Sequence, residues 1–556
     1  MRGHRPLNLF NFMLKSSSVI SVLCVAIFSS CQNLSANIEK DKVKLKDSLF
    51  KMYSNKADSV KREAVLFLID NMDETQTVTY PYFFNKNTNK QVNFNLLEIA
   101  GENDFKAELK KRNIAYKDTT VNDAQILTAK YLAGCIDKAY ADWKNYPWNR
   151  HVSKEMFFNY LLPYKVYNDK PSQWRDLLAR QYYLDLLPLD GQRRNSTSEN
   201  VIDKIPYFHP LQPDPLLTFN ENSFKISKSN HFDEMMAIRV GDCLTGNLMN
   251  IYRLRAMGIP ATMDLIPLWG KLNASHSETV YENSSGKMVA LNTTAKNLQQ
   301  TAKVIRYTYK NQKTWSDTIS KLLLNPKEFG LKYLMNNHWI DVTSSYNQVG
   351  DINYKIKEFY PDGYAYICVF NYGNWAPVFW GKKNKDEVVF KNMGTDIFYR
   401  IAIPFAGQMK FVSEPFLFTR DKKIKFYHNN KQTYPKLNLY KVNTGTASFV
   451  EIDGIYTLSY WDETNNWRIV ATKKAQALSI DLNSPEVKEK IKSYKITGFS
   501  DAAINDLIKN DLELKKGIEF NNVPKNALLK LQKSDDTKGL ARIFLIDGLT
   551  HKQIWY

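Results

Sequence analysis

Residues 241–292 constrain the fold of this chain more than any other stretch. Gly241-Asp242-Cys243 opens an apolar segment that closes at Arg255-Ala256-Met257-Gly258-Ile259-Pro260. Leu244, Leu248, Ile251, Leu254 and Met257 recur at spacings of three and four, which predicts a helix with one buried stripe. Gly258 stands where a left-handed cap is wanted, and Pro260 forbids continuation. Asp242 is suited to capping the start. Cys243 then falls in the first turn, where free amides and the helix dipole favour a thiolate. The structural alternative for such a cysteine is a small buried apolar residue.

A hairpin follows. Runs 276–282 and 286–293 flank the turn Asn283-Ser284-Ser285-Gly286-Lys287. A turn centred on Ser284 sets His276 opposite Asn292 on one face of the pair. Cysteine at a helix start, then histidine, then carboxamide is the parts list of a thiol nucleophile, its base and its orienter. A core histidine and a turn asparagine are the structural readings of the same residues.

These residues resemble the transglutaminase-like superfamily, the papain-related Cys–His–Asp/Asn enzymes. The resemblance rests on Gly241-x-Cys243, on Arg255 with Gly258-Ile259-Pro260, and on His276 and Asn292-Thr293. More of the chain looks like Bacteroides-type transglutaminase-like lipoproteins. Residues 64–72 resemble the family's N-terminal helix, and Tyr160–Lys165 with Trp174-Arg175 its next landmark. Asn374–Val378 and Asn521–Leu528 resemble its downstream β modules. The resemblance implies Cys243, His276 and Asn292 as the catalytic set. The chain departs from it at Glu278, where an aromatic is usual. A carboxylate there would raise the imidazole pKa, pair with substrate, or mark a site that has drifted from catalysis.

The N-terminus looks like a bacterial lipoprotein signal. Arg2, Arg5 and Lys15 precede an apolar run, Val19 to Phe28, that ends in Ser29-Ser30-Cys31. Cys31 is the expected lipidation site. It anchors the protein in the cell envelope, on the periplasmic face of the outer membrane, because 32–37 carry no acidic cluster. No later run reaches the ~18–20 apolar residues of a membrane helix. Cys135, Cys243 and Cys368 are then the remaining thiols, too sparse and odd a set for a disulfide scaffold. Cys135 in an amphipathic helix and Cys368 in a buried strand read as structural.

The ~525 residues after a signal suggest ~3–4 domains. The expected class is α+β. Its parts are a signal over 1–30, a helical region over 31–185, a transglutaminase-like core over 186–345, and all-β sandwich units over 346–450 and 451–556. Helical spacing marks 58–72, 123–143 and 172–187, and 190–235 reads as a polar, Pro-rich connection. Formal charge is +19, with lysines at apparent turns such as 382–385 and 422–425, the pattern of solvated loops. Export argues against a nucleic-acid partner. Neither HExxH, CxxC, P-loop nor GxSxG occurs, and no cofactor or metal is expected. His231 reads as a surface-loop residue. Trp555 and Tyr556 are expected to pack, since large aromatics rarely end a frayed tail. The expected function is thiol acyl chemistry on an amide in a peptide, protein or glycopeptide, by hydrolysis. The alternative is a non-catalytic envelope lipoprotein whose sandwiches bind glycan or peptide.

Overall fold

The structure is a computed structural model. It describes residues 36–556 apart from 74–75, 95–101, 192–195, 205–217, 220–230, 239, 242, 292–299, 313–336, 358–359, 361–362, 406–407, 429–430, 445–448, 478–484, 497–499 and 511–515. The fold is α+β, with two compact units. Unit 1 holds residues up to 263 with 279–292 and 307–311; unit 2 holds 264–278, 293–306 and 312–556. The boundary falls inside the strands Ala261–Ile266, His276–Glu282 and Ile305–Tyr307.

Unit 1 is built on helices. The helix Ala129–Asn145 starts where the Thr128 side chain accepts from the Tyr131 amide at 3.2 Å. Leu132, Ala133, Ile136 and Ala139 form its buried stripe, packed with Leu49, Val65, Leu68, Phe157 and Leu161 in one core. The helices Ser59–Asp70 and Trp174–Gly191 match the expected segments. Between them the region departs from the helical expectation. Thr77–Asn85 and Ile114–Asn122 pair antiparallel, from Thr77 against Asn122 to Asn85 against Ile114. The cause is readable in Thr-Val-Thr-Tyr-Pro-Tyr-Phe-Phe, a β-branched and aromatic run. Phe83, Phe94 and Phe105 gather in a small core of their own.

Unit 2 is β-rich. Its largest sheet has eight antiparallel strands over 349–426, in the path Val349–Lys355, Glu387–Gly394, Asn374–Asn384, Gly363–Asn371, Ile397–Phe405, Phe416–Phe418, Ile424–Phe426, with Gln408–Phe411 on the fifth. Cys368 is buried in the Gly363–Asn371 strand, as its apolar neighbours predict. Lys383 is a correction. It is 3% exposed and donates from Nζ to the Tyr360 carbonyl at 2.8 Å, because its strand continues through the lysine run to Asn384. Beyond residue 430 come sheets of three and five strands. Two helices, Pro485–Ile496 and Asp501–Asn510, interrupt the all-β texture expected there. The C-terminus is packed as expected. Tyr556 is buried with its ring 4.9 Å from Phe398, and its carbonyl accepts from Arg542 Nε at 3.0 Å.

Candidate functional site

The helix Cys243–Ala256 begins on the cysteine itself. Asp242 and the Cys243 side chain lie outside what the structure describes. Leu248, Ile251, Leu254 and Met257 are buried as the stripe requires. Each such side chain stabilises the fold by ~1.5–3 kcal/mol, so packing holds this helix more than propensity does. Its end is a Schellman motif. The Ile259 amide donates to the Leu254 carbonyl at 2.9 Å and the Gly258 amide to the Arg255 carbonyl at 3.1 Å. Gly258 has φ +80°, and a Cβ there would stand 2.5 Å from Tyr146 Cδ2. Arg255 is structural. Fully buried, it donates from Nε to the Ala261 carbonyl at 2.9 Å and from Nη1 to the Lys165 carbonyl at 3.0 Å. Desolvation, helped by the Arg175 charge, pushes its pKa down to about 9.

The hairpin exists, but its register corrects the expected one. The Gly286 amide donates to the Asn283 carbonyl and the Asn283 amide to the Lys287 carbonyl, each at 2.9 Å. Gly286 is left-handed at φ +74°. This three-residue loop, Ser284 to Gly286, centres on Ser285. The ladder accordingly pairs Val280 with Ala290 and Glu282 with Met288. The partners' numbers sum to two more than a turn centred on Ser284 requires. Asn292 itself lies outside the described residues. Thr279 donates twice to Asn247, one turn along from Cys243: its amide to Oδ1 at 3.0 Å and its hydroxyl to the same oxygen at 2.9 Å. Alternation sets Thr279 and His276 on opposite faces of their strand.

His276 starts its strand and stacks on Trp269, with centroids 5.7 Å apart. Desolvation lowers the imidazole pKa, and Glu278 does not raise it. Glu278, 7% exposed, is itself pushed up to about 7 by burial, then by the Asp264 charge, with a bond from Tyr346 opposing. Around it lies a buried charged network. Arg306 holds Asp264 in a fork, Nε to Oδ1 at 2.7 Å and Nη2 to Oδ2 at 2.8 Å. The Tyr346 hydroxyl donates to Asp264 Oδ2 at 2.6 Å. Tyr346 packs with Ile266, Trp269, Val304 and Val342 in one small core. These are the residues the sequence reading missed. Their signal was an acid in Ala-Thr-Met-Asp-Leu-Ile and a base in Val-Ile-Arg-Tyr, opposite charges inside apolar strands that are paired Asp264 against Arg306.

His231 is a further correction. It is 5% exposed, and its Nδ1 lies 3.1 Å from Asp169 Oδ1 and 3.1 Å from the Lys170 amide. Asp169 also accepts from the Phe232 amide at 3.2 Å and from the Tyr252 hydroxyl. The buried carboxylate, invisible in sequence, draws the histidine in. Cys135 sits in its helix with its pKa pushed up to about 11 by burial, an inert thiol. Cys31 lies outside the described residues. No described helix is long and apolar enough to cross a membrane, and no group of three metal-ligating side chains occurs among the described residues. No known protein family, curated protein or solved structure matches the chain.

Proposed function

We propose that the chain is a cell-envelope lipoprotein, anchored through Cys31, with transglutaminase-like thiol chemistry. Cys243 attacks the carbonyl of an amide in a peptide, protein or glycopeptide, His276 takes and returns the proton, and Asn292 orients the ring. Water resolves the acyl-enzyme, which makes the reaction a hydrolysis. The observation that carries this reading is a helix that begins on Cys243 and ends in the Arg255–Pro260 cap, as the sequence pattern demands.

The test is alkylation by iodoacetamide at about pH 6, with the modified cysteine assigned by peptide mass spectrometry. A Cys243 thiolate paired to His276 reacts well below the free-thiol pKa of ~8.5, and His276→Ala should slow it ~10-fold or more. Equal rates in the two proteins would overturn the reading. Cys31→Ala should move the protein from the membrane to the soluble fraction.

A second, non-catalytic reading is favoured by Glu278 and by the strand face. A buried carboxyl stands where the superfamily carries an aromatic, and the side chain that bonds the Cys243 helix is Thr279, on the face opposite His276. In that reading the β-rich unit binds glycan or peptide. Glu278→Trp discriminates: activity that appears or rises marks the native glutamate as a handicap to catalysis.

A further inference from the structure

Unit 2 carries an open cavity of about 300 Å³ at one end of its eight-stranded sheet. The ladder pairs Val349 with Gly394 and Ile397 with Phe418, which brings three connections together at that end. They are residues 344–348, the turn 395–396, and Arg420 in the turn that follows Phe416–Phe418. Bonds tie the three to one another. The Thr395 amide donates to the Gln348 carbonyl at 2.9 Å, Asn347 Nδ2 to the Thr395 carbonyl at 3.2 Å, and Gln348 Nε2 to the Arg420 carbonyl at 2.9 Å. The cavity is therefore set before any ligand arrives.

Its lining is polar, with bonding capacity to spare. Thr395 is 1% exposed, and its hydroxyl makes no bond among the described residues. That oxygen is unpaired yet not sealed from solvent, so it opens on the cavity. Asp396 is left-handed at φ +62°. Its Oδ2 accepts from Lys271 Nζ at 2.7 Å and lies 3.9 Å from Arg420 Nη2. Its Oδ1 accepts nothing among the described residues. The same holds for Gln348 Oε1 and for the hydroxyls of Ser344 and Ser345, all three residues being exposed. The Tyr346 hydroxyl is committed to Asp264, so that tyrosine brings no hydroxyl to the cavity it lines.

Ligand classes meet these groups differently. A metal ion finds a single carboxylate, and Lys271 already pairs with it. A phosphate or sulfate meets that carboxylate as a like charge. An apolar peptide side chain meets hydroxyls and an amide oxygen where it needs an apolar pocket. A ring bearing several hydroxyls suits them all, because each of its O–H groups both donates and accepts. We infer that this cavity binds one sugar ring of a neutral glycan. Asp396 Oδ1 and Gln348 Oε1 accept from its hydroxyls, and Thr395, Ser344 and Ser345 bond them in either sense. This assignment rests on the second reading above, in which the β-rich unit binds glycan, and gives that binding a place. The volume is at the lower end of small-molecule sites, ~300–1,000 Å³, so one ring is seated and the rest of the chain stays outside.

The methyl glycosides of glucose, galactose, mannose and N-acetylglucosamine serve as probes with the full-length protein, and trialanine is the peptide control. Binding is read by saturation-transfer NMR and calorimetry. At least one glycoside should bind with one-to-one stoichiometry and a millimolar or tighter dissociation constant, and trialanine should not bind. Thr395→Val keeps the side chain's outline and removes its hydroxyl. Asp396→Gly removes the carboxylate at a φ that glycine adopts freely. Each should weaken binding ~10-fold or more while the thermal midpoint stays within a few degrees. A folding defect in one variant leaves the other as the test. Glycoside binding that neither variant weakens overturns this site and leaves the glycan reading of the unit standing. No glycoside bound at tens of millimolar, or trialanine bound in its place, overturns the site as well. A glycan array probed with the same protein then shows whether the reading of the unit falls with it.

Discussion

Arg255 in unit 1 and Arg306 in unit 2 are both buried, and their surroundings differ in kind. Among the described residues Arg255 donates only to carbonyl oxygens, those of Ala261, Lys165 and, at 3.4 Å, Pro163. Its charge is balanced by dipoles, and its pKa falls to about 9. Arg306 is met by a full carboxylate in a two-point fork, with Tyr346 taking the remaining capacity of Asp264. The first is a joint that locks a helix end to the chain beside it. The second is a charge-balanced pair, and among the described residues no cation pairs with the carboxyl next to it. Glu278 is therefore the group left to titrate, at about 7. Two buried guanidiniums serve different ends because one reads backbone and the other reads charge.

The largest effect that can break this comparison comes from removing each guanidinium. Arg255→Met leaves carbonyls unpaired and Arg306→Met leaves Asp264 buried without its cation, so each should cost about 3 kcal/mol or more in thermal or urea unfolding. The two losses should part in a double variant. Asp264→Asn removes the charge that Arg306 balances and should recover part of the Arg306→Met loss, while it should leave the Arg255→Met loss unchanged. Equal effects on both would show that both arginines serve as joints.

A smaller effect comes from Glu278. Its folded pKa is raised from 4.5 to about 7, so the folded state holds the proton more tightly than the unfolded chain. The stabilisation is fully present below the unfolded pKa and is lost as pH rises through about 7. Going from pH ~5 to ~8 should therefore cost as much as about 3 kcal/mol. Glu278→Gln should remove that part of the slope. Glu282, also raised to about 7 by burial, supplies a similar fall that survives in the Glu278 variant. His276 acts in the other direction, with a lowered pKa whose contribution is lost as pH falls below the usual imidazole range. A Glu278→Gln profile identical to wild type would remove the charge argument for this corner.

Which parts of this were legible in sequence follows from how local their causes are. The Cys243–Ala256 helix was, because a stripe, a glycine and a proline within a few turns of one another determine it. Cys368 was, since apolar neighbours imply burial, and Tyr556 was, since a large aromatic rarely ends a frayed tail. The hairpin was found with its register off by two residues. A Ser-Ser-Gly loop closes around its left-handed glycine, and the glycine's position relative to the turn centre decides which residues face each other. The Asp264–Arg306 fork was not read. A single acid in one strand and a single base in another carry no spacing signal when 42 residues separate them. His231 failed for the same reason, since its partner Asp169 lies 62 residues away. The strands Thr77–Asn85 and Ile114–Asn122 failed differently: their β-branched and aromatic pattern was present, but flanking helical periodicity outweighed it.

The smallest effect sharpens the contrast by adding an atom in place of removing a charge. Gly258 closes the joint that Arg255 holds, and its left-handed backbone and the Tyr146 ring at 2.5 Å leave no place for a methyl group. Gly258→Ala should cost on the order of 1–3 kcal/mol, part backbone strain and part overpacking. Gly134 lies in the same unit, mid-helix, with nothing within 4 Å of a built Cβ. Gly134→Ala should raise stability by about 0.5–1 kcal/mol, since alanine reduces the freedom of the unfolded chain and suits a helix better. The pair separates packing from propensity inside one unit, measured as opposite shifts in the urea midpoint at constant slope. Loss of stability in Gly134→Ala would mean that its face is covered in the folded protein.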